Sequence, residues 1–302
     1  MQSLISRISI EALSEELISS HPISGLGSVN EIYAFDTAEG KYILRLNNFE
    51  EKQIEYRKEK FCLEAVGEMG IPGPKVLAMG QIEEHVYMIQ NRLGGENAKE
   101  VGQESRNKIW RALGTYARQF HEITKIEDEA VKKQEFHADW KARLTYNLKE
   151  LNPSDSLLQL AYLQVEDHEA ILSVLLALDK KDFKTGLVHG DLCPRNVLME
   201  GENIYLLDWG TAEINVVPHT EIGILLLSEE ASAKEISIFL QGLGITQEEY
   251  REMEKDIHAL NLLHRLDKYR WAEAYDQDNL DSYVKKIKAA FHPLIQSQSH
   301  ET

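Results

Sequence analysis

The side chains best placed to do chemistry are Asp191, Asn196 and Asp208. They stand in Leu187-Val188-His189-Gly190-Asp191-Leu192-Cys193-Pro194-Arg195-Asn196-Val197-Leu198 and in Leu206-Leu207-Asp208-Trp209-Gly210. An apolar stretch enters a polar loop, and Asn196 to Met199 leaves as a short strand. Gly201-Glu202-Asn203 turns the chain, and Ile204 to Leu207 returns as a second strand. In an antiparallel pair, the start of one strand and the end of its partner are neighbours. The Asn196 carboxamide and Asp208 carboxylate therefore converge, with Asp191 as a third polar anchor. Hard oxygen ligands of this kind suit Mg²⁺ carrying a phosphate chain.

Asp191 and Asn196 also have the Asp-x-x-x-x-Asn spacing of a kinase catalytic loop, and Asp208-Trp209-Gly210 occupies the place of Asp-Phe-Gly. The stretch resembles the His-Gly-Asp-x-x-x-x-Asn loop of aminoglycoside phosphotransferases and their small-molecule kinase relatives. His-Gly-Asp, in place of the protein-kinase His-Arg-Asp, points to small-molecule kinases. The resemblance covers nearly the whole chain. It implies an α+β, bilobal, protein-kinase-like fold with an N-terminal antiparallel sheet lobe over residues 1–91. A mainly helical lobe over residues 92–302 carries the catalytic loop and the substrate site.

The elements that must position these residues can be read in order. Ile8 to Ser20 has apolar residues at near-helical spacing and is predicted as an amphipathic helix. Gly25-Leu26-Gly27-Ser28-Val29-Asn30 precedes the alternating strand Glu31 to Phe35. A dinucleotide fingerprint would follow a strand, open a helix and carry a third glycine, where this chain has Asn30. A glycine-rich turn between strands instead fits a flap over nucleotide phosphates, with Gly25, Gly27 and Ser28 lending backbone N–H groups. In the resemblance, the strand Lys41 to Leu46 carries the phosphate-gripping cation, often lysine; the matching residue is Arg45. Arginine can clamp phosphate through two parallel hydrogen bonds but is bulkier than ammonium. Phe49 to Met69 is predicted as a helix capped by Gly70; it resembles the family's regulatory helix, whose glutamate pairs with the strand cation, and Glu59, or Glu55 one turn away, is the match.

Lys75 to Gly80 and Glu84 to Gln90 follow as strands. Gln90, Asn91 and Arg92 fall where the family reads the purine through backbone groups, which leaves ATP or GTP open. Helices are predicted over Glu104 to Lys125, Phe136 to Leu151, Leu157 to Leu178 and from Ser232 to about Ile295. Ser154-Asp155-Ser156 can cap the third of these, and His121 is expected to be a packed core histidine. Glu221 stands where an Asp is common and could accept a hydrogen bond from the catalytic loop. Glu273 and Asp276, beside Trp271 and Tyr275, could make a cation site of carboxylates and aromatic rings.

The composition narrows the function. A 302-residue chain with 43% hydrophobic and 27% charged residues is an ordinary globular protein, long enough for two lobes. No apolar run reaches the roughly 18 to 20 residues that span a bilayer. The N-terminus lacks a signal-peptide core, and Cys62 and Cys193 are too few for a disulfide framework or zinc cluster, so the cytoplasm is the expected location. A net charge of −17 without a basic stripe argues against nucleic acid and could draw a cationic substrate.

The expected reaction moves the γ-phosphate of ATP or GTP to a hydroxyl of a small cationic molecule, an aminoglycoside-like antibiotic being favoured. A metabolic kinase for choline, homoserine or a sugar, a macrolide kinase, and a catalytically idle nucleotide-binding scaffold are the alternatives. In the resemblance Asp191 orients the hydroxyl and accepts its proton, and Asn196 and Asp208 hold Mg²⁺. His189 holds the loop, and Arg195 reaches phosphate or faces solvent.

Overall fold

A computed structural model describes residues 1–23, 31–128, 131, 139–228 and 230–296. Gly25, Gly27 and Ser28, the flap residues of the sequence reading, lie outside them. Contacts divide the chain into two compact units: Met1–Ala112, Ile126–Gln134 and Cys193–Ala212 form one, and Leu113–Lys125, Glu135–Leu192 and Glu213–Thr302 the other. The division is thus not one cut near residue 91, because the segment with Asn196 and Asp208 groups with the N-terminal sheet.

The first unit opens with helix α1 (Gln2–Leu13), followed by β1 (Ser19–Pro22), β2 (Glu31–Asp36) and β3 (Lys41–Asn47). Helix α2 (Lys52–Glu68) precedes β4 (Val76–Ile82) and β5 (His85–Asn91). The five strands form an antiparallel sheet in the order β1-β2-β3-β5-β4. The first helix lies earlier than its apolar spacing predicts. Ser14 adopts the left-handed conformation (φ 59°) and its N–H closes back on the last turn, so the helix stops before Leu17 and Ile18. Strand β1 takes up the polar Ser19-Ser20-His21 instead. Ile5 and Ile8 pack with Phe35, Tyr42, Leu44, Leu46, Ile82 and Ile89 into one core under the sheet. Strand alternation explains this, since Tyr42, Leu44 and Leu46 share a face while Ile43 and Arg45 share the other.

After β6 (Glu96–Asn97), helix α3 (Gln103–Phe120) buries Ile109, Trp110, Leu113, Ala117 and Phe120 along one stripe. The second unit continues with α4 (Trp140–Glu150), capped by the Asp139 carboxylate on the Ala142 N–H. The single helix expected over residues 157–178 is two, α5 (Ser156–Gln159) and α6 (Val165–Asp179). The Asp155 side chain caps the first, and Ala161 turns the chain with a left-handed backbone (φ 54°). Buried Asp155 also takes both Nη atoms of Arg270 at 2.8 Å and His168 Nε2 at 3.0 Å, so the break is locked from outside the helix.

Strand β7 (Thr185–Val188) leads to a 3₁₀ turn, Pro194–Asn196, and then to β8 (Val197–Glu200) and β9 (Asn203–Leu206) in the first unit. Strand β8 is central in a β6-β8-β9 sheet, and β10 (Glu213–Val216) pairs antiparallel with β7 in the second unit. The remainder is helical: α7 (His219–Leu227), α8 (Ala233–Leu243), α9 (Gln247–Tyr275) and α10 (Leu280–Gln296). Complete capping boxes at Ser232/Glu235 and Thr246/Glu249 start α8 and α9. No described helix is long and apolar enough to cross a membrane.

Candidate active site

The predicted hairpin is present. Val197 pairs with Leu206, and the Asn196 carbonyl accepts the Leu207 N–H at 2.9 Å, so the ladder runs out between Asn196 and Asp208. Asp208 then leaves the strand with a left-handed backbone (φ 58°), a conformation that aspartate tolerates better than branched residues. Its side chain is half exposed, with Oδ1 3.5 Å from Arg45 Nη2. A second anchor steadies the strand: Leu206 N–H donates to the Pro72 carbonyl at 2.9 Å.

Arg45 sits mid-strand in β3, and its Nη1 donates to both oxygens of Glu59 at 2.7 Å. Glu59 is buried (1% exposed) on α2, which selects it over Glu55 as the partner; Glu55 instead pairs with Lys52. Burial pushes the Glu59 carboxyl up, and the Arg45 charge opposes that; Glu59 and Asp208 keep Arg45 protonated. Gln90 Nε2 reaches Glu59 Oε1 at 3.5 Å.

The residues read as the purine-binding stretch use their N–H groups within the sheet. Asn91 N–H donates to the Lys75 carbonyl and Arg92 N–H to the Lys41 carbonyl, while Asn91 Oδ1 accepts the Lys75 N–H at 2.6 Å. Arg92 is further tied to Asp36 at 2.9 Å. Of the three, then, the side chains of Gln90 and Arg92 serve the protein's own carboxylates. Strand alternation put Gln90 on an inward face, but nothing in the sequence said which carboxylate it would meet.

In the second unit, His189 is fully buried and its Nδ1 accepts the Asp191 N–H at 3.3 Å, which places the ring proton on Nε2. Gly190, between them, has φ 79°, a conformation glycine adopts without penalty. Glu221, from the first turn of α7, accepts the His189 N–H on Oε2 at 2.9 Å and also the Gly190 N–H. Its Oε1 has no hydrogen-bond partner among the described residues. Burial, reinforced by the nearby carboxylates of Asp191 and Glu213, pushes the Glu221 carboxyl up to about 8 despite those two N–H donors. Arg195 lies on the first unit's side of the loop, its carbonyl accepting from Asn97 Nδ2 at 2.9 Å.

His121 is buried beside Phe120, and burial holds it down to about 3, so it is a neutral core residue. The residues read as a cation site are largely committed. Glu273 binds Arg270 at 3.1 Å and the Ser156 hydroxyl, while Asp276 accepts from Asn279 Nδ2 at 2.7 Å and from the Tyr283 hydroxyl at 3.1 Å. Trp271 and Tyr275 remain exposed, their ring centroids 5.6 Å apart.

The model of the phosphotransferase enzyme family known as APH matches residues 22–255. The chain belongs to this family. The enzyme expected from the sequence, a nucleotide-dependent phosphotransferase with an alcohol acceptor, stands on that membership. No curated protein matches the sequence. Solved structures similar to this phosphotransferase include a GDP and kanamycin complex of APH(2")-IIia, at TM-score 0.68 and 14% identity, covering 96% of this chain and 98% of that one. A thermostable mutant of aminoglycoside phosphotransferase APH(4)-Ia, in ternary complex with AMP-PNP and hygromycin B, matches at TM-score 0.65 and 16% identity, covering 95% and 97%. A putative fructosamine-3-kinase from Haemophilus somnus 129PT matches at TM-score 0.62 and 15% identity, covering 96% of each chain. At these identities the likeness speaks for the fold, the protein-kinase-like α+β architecture expected from the sequence.

Proposed function

We propose that this phosphotransferase moves the γ-phosphoryl group of ATP or GTP to a hydroxyl of a small molecule, in the cytoplasm. The observation that carries the reading is the Arg45 guanidinium, held on both oxygens of buried Glu59 and set 3.5 Å from half-exposed Asp208. A cation fixed beside a half-exposed carboxylate is what a metal-bound triphosphate needs. The donor set fits magnesium: a carboxylate at 208 and a carboxamide at 196, at neighbouring strand ends. Among the described residues no group of three or more His, Cys, Asp or Glu side chains could hold a metal unaided. Magnesium tolerates this, because it commonly takes one or two protein oxygens and fills its sphere with phosphate and water. Bound there, it would neutralise charge on the phosphates. Arg45 would grip the chain of phosphates, and the nucleotide complexes among the similar folds hold GDP in one case and AMP-PNP in another.

Asp191 is the residue to orient the acceptor hydroxyl and take its proton, with His189 and Glu221 fixing the backbone on which it sits. With a loose transition state, alignment and charge neutralisation supply most of the acceleration. The acceptor reading remains a small cationic, aminoglycoside-like molecule, supported by the net charge of −17 and by the kanamycin and hygromycin complexes. A neutral sugar-like acceptor is the second reading. The internal commitments of Glu273 and Asp276 favour it, since they leave the Trp271–Tyr275 surface to offer aromatic faces more than charge.

A panel of hydroxylated amines, sugars and antibiotics, assayed with MgATP and MgGTP, tests the acceptor. Asp191→Ala should lower turnover on the accepted compound by at least about a hundredfold while MgATP binding is largely kept. Undiminished turnover would remove Asp191 from its assigned role.

A further inference from the structure

Arg45 occupies a place where the resembled family often has lysine, and the residues around it give a guanidinium more than one partner. Helix α2 presents two side chains to it, three residues apart and therefore on one face. Glu59 takes Nη1 on both of its oxygens. Tyr56 offers its ring to the cation, with Arg45 Cζ over the ring 5.6 Å from the centroid. The ring is itself buried: Tyr56 is 2% exposed and packs against Val86 and Met88 of β5. Met88 is the cross-strand neighbour of Arg45, so the strand pairing that places the arginine also seats the ring. An ammonium group could satisfy Glu59, but it presents no plane to lay along the ring and no second Nη to face Asp208.

We infer that Tyr56 is a positioning residue for the phosphate-binding cation and the reason arginine is used at position 45. Glu59 holds the guanidinium by Nη1, and the Tyr56 ring holds its charge over the ring face. Together they leave Nη2 turned toward Asp208, 3.5 Å away. Interaction of a cation with a ring face in a desolvated setting is strong enough to choose between arginine and lysine. The inference rests on the proposed phosphate role of Arg45.

The test is equilibrium binding by calorimetry on the full chain, using whichever of MgATP and MgGTP the unmodified protein binds more tightly. Tyr56→Phe keeps the ring and should bind within about twofold of the unmodified chain. Tyr56→Leu removes the ring and should weaken binding about three- to tenfold. Tyr56→pentafluorophenylalanine keeps the shape, reverses the charge on the ring face and should lose a similar amount. Arg45→Lys should cost several-fold in the unmodified chain and less than about twofold once the ring is gone or fluorinated, because coupled residues do not add. Loss of packing alone would lower the fraction of competent protein without changing the dissociation constant of the rest.

Additive losses for Tyr56→Leu and Arg45→Lys, or a fluorinated ring that binds nucleotide as well as Tyr56→Phe, would overturn the proposal. Should Tyr56→Leu fail to fold, the fluorinated ring and its combination with Arg45→Lys decide the matter. Arg45→Ala separates the two levels. An unchanged affinity there would refute the phosphate role and bring the Tyr56 proposal down with it, whereas a large loss without coupling would refute Tyr56 alone.

Discussion

Glu59 and Glu221 are both buried, at 1% and 0% exposed, and they are treated in opposite ways. Glu59, in the unit built on the N-terminal sheet, meets a guanidinium on both oxygens and an amide beyond it. Among the described residues Glu221, in the helical unit, meets backbone N–H donors and two further carboxylates, and its second oxygen has no partner. The same side chain is thus a counter-ion in one place and a hydrogen-bond acceptor in the other. Burial raises the proton affinity of both, but only Glu59 has a formal positive charge set against that rise. What distinguishes a site for charge from a site for geometry is the neighbour, because desolvation alone acts alike on each.

The largest effect that could break this contrast is Glu59→Ala. It leaves Arg45 buried with its main partner gone and should destabilise the fold by about 3–5 kcal/mol in denaturant titration. A loss under about 1 kcal/mol would mean that the pair is a surface contact. Glu221→Gln sharpens the other half. A carboxyl pushed up to about 8 from an ordinary value of 4.5 keeps its proton in the native state where the unfolded chain has lost it. Its stabilising contribution is therefore complete below about pH 4.5 and is lost as pH climbs through about 8, by on the order of a few kcal/mol. Melting temperatures from pH 5 to 9 should fall in the unmodified chain and stay flatter in Glu221→Gln; parallel curves would count against a titrating Glu221. Gln90→Leu is the smallest. Removing one long hydrogen bond to Glu59 should cost about 1 kcal/mol or less, and a greater cost would make the amide a principal holder of that carboxylate.

The hairpin and the candidate residues on it were more legible than the element boundaries. Asp191, Asn196 and Asp208 stood out as candidates because loop, hairpin and strand signals sit close together along the chain. The Arg45–Glu59 pair could be read because the family resemblance sets a cation on that strand and a glutamate on the helix, and distance from Pro72-Gly73-Pro74 favoured Glu59 over Glu55. Tyr56 could not, since an aromatic residue on a helix looks like core until the cation above it is known. The break between α5 and α6 was equally hidden. Apolar spacing continues across residues 157–178, but the chain turns at Ala161, and Asp155, held by Arg270 from 115 positions further along the chain, ties the start of the first piece to His168 of the second. The carboxylates Glu273 and Asp276 looked available for the same reason: a sequence shows charge but not its internal partner.

Asp208 leaves its strand by a left-handed bend, and this restricts how position 208 can be interrogated. A side chain there carries a shape requirement as well as an electronic one. Replacement by valine or isoleucine would twist the peptide planes and shift the exit of the hairpin, so lost activity could not be ascribed to a missing oxygen. Asparagine accepts the same bend and differs chiefly in charge. Asp208→Asn is therefore the exchange whose consequences speak to electrostatics alone.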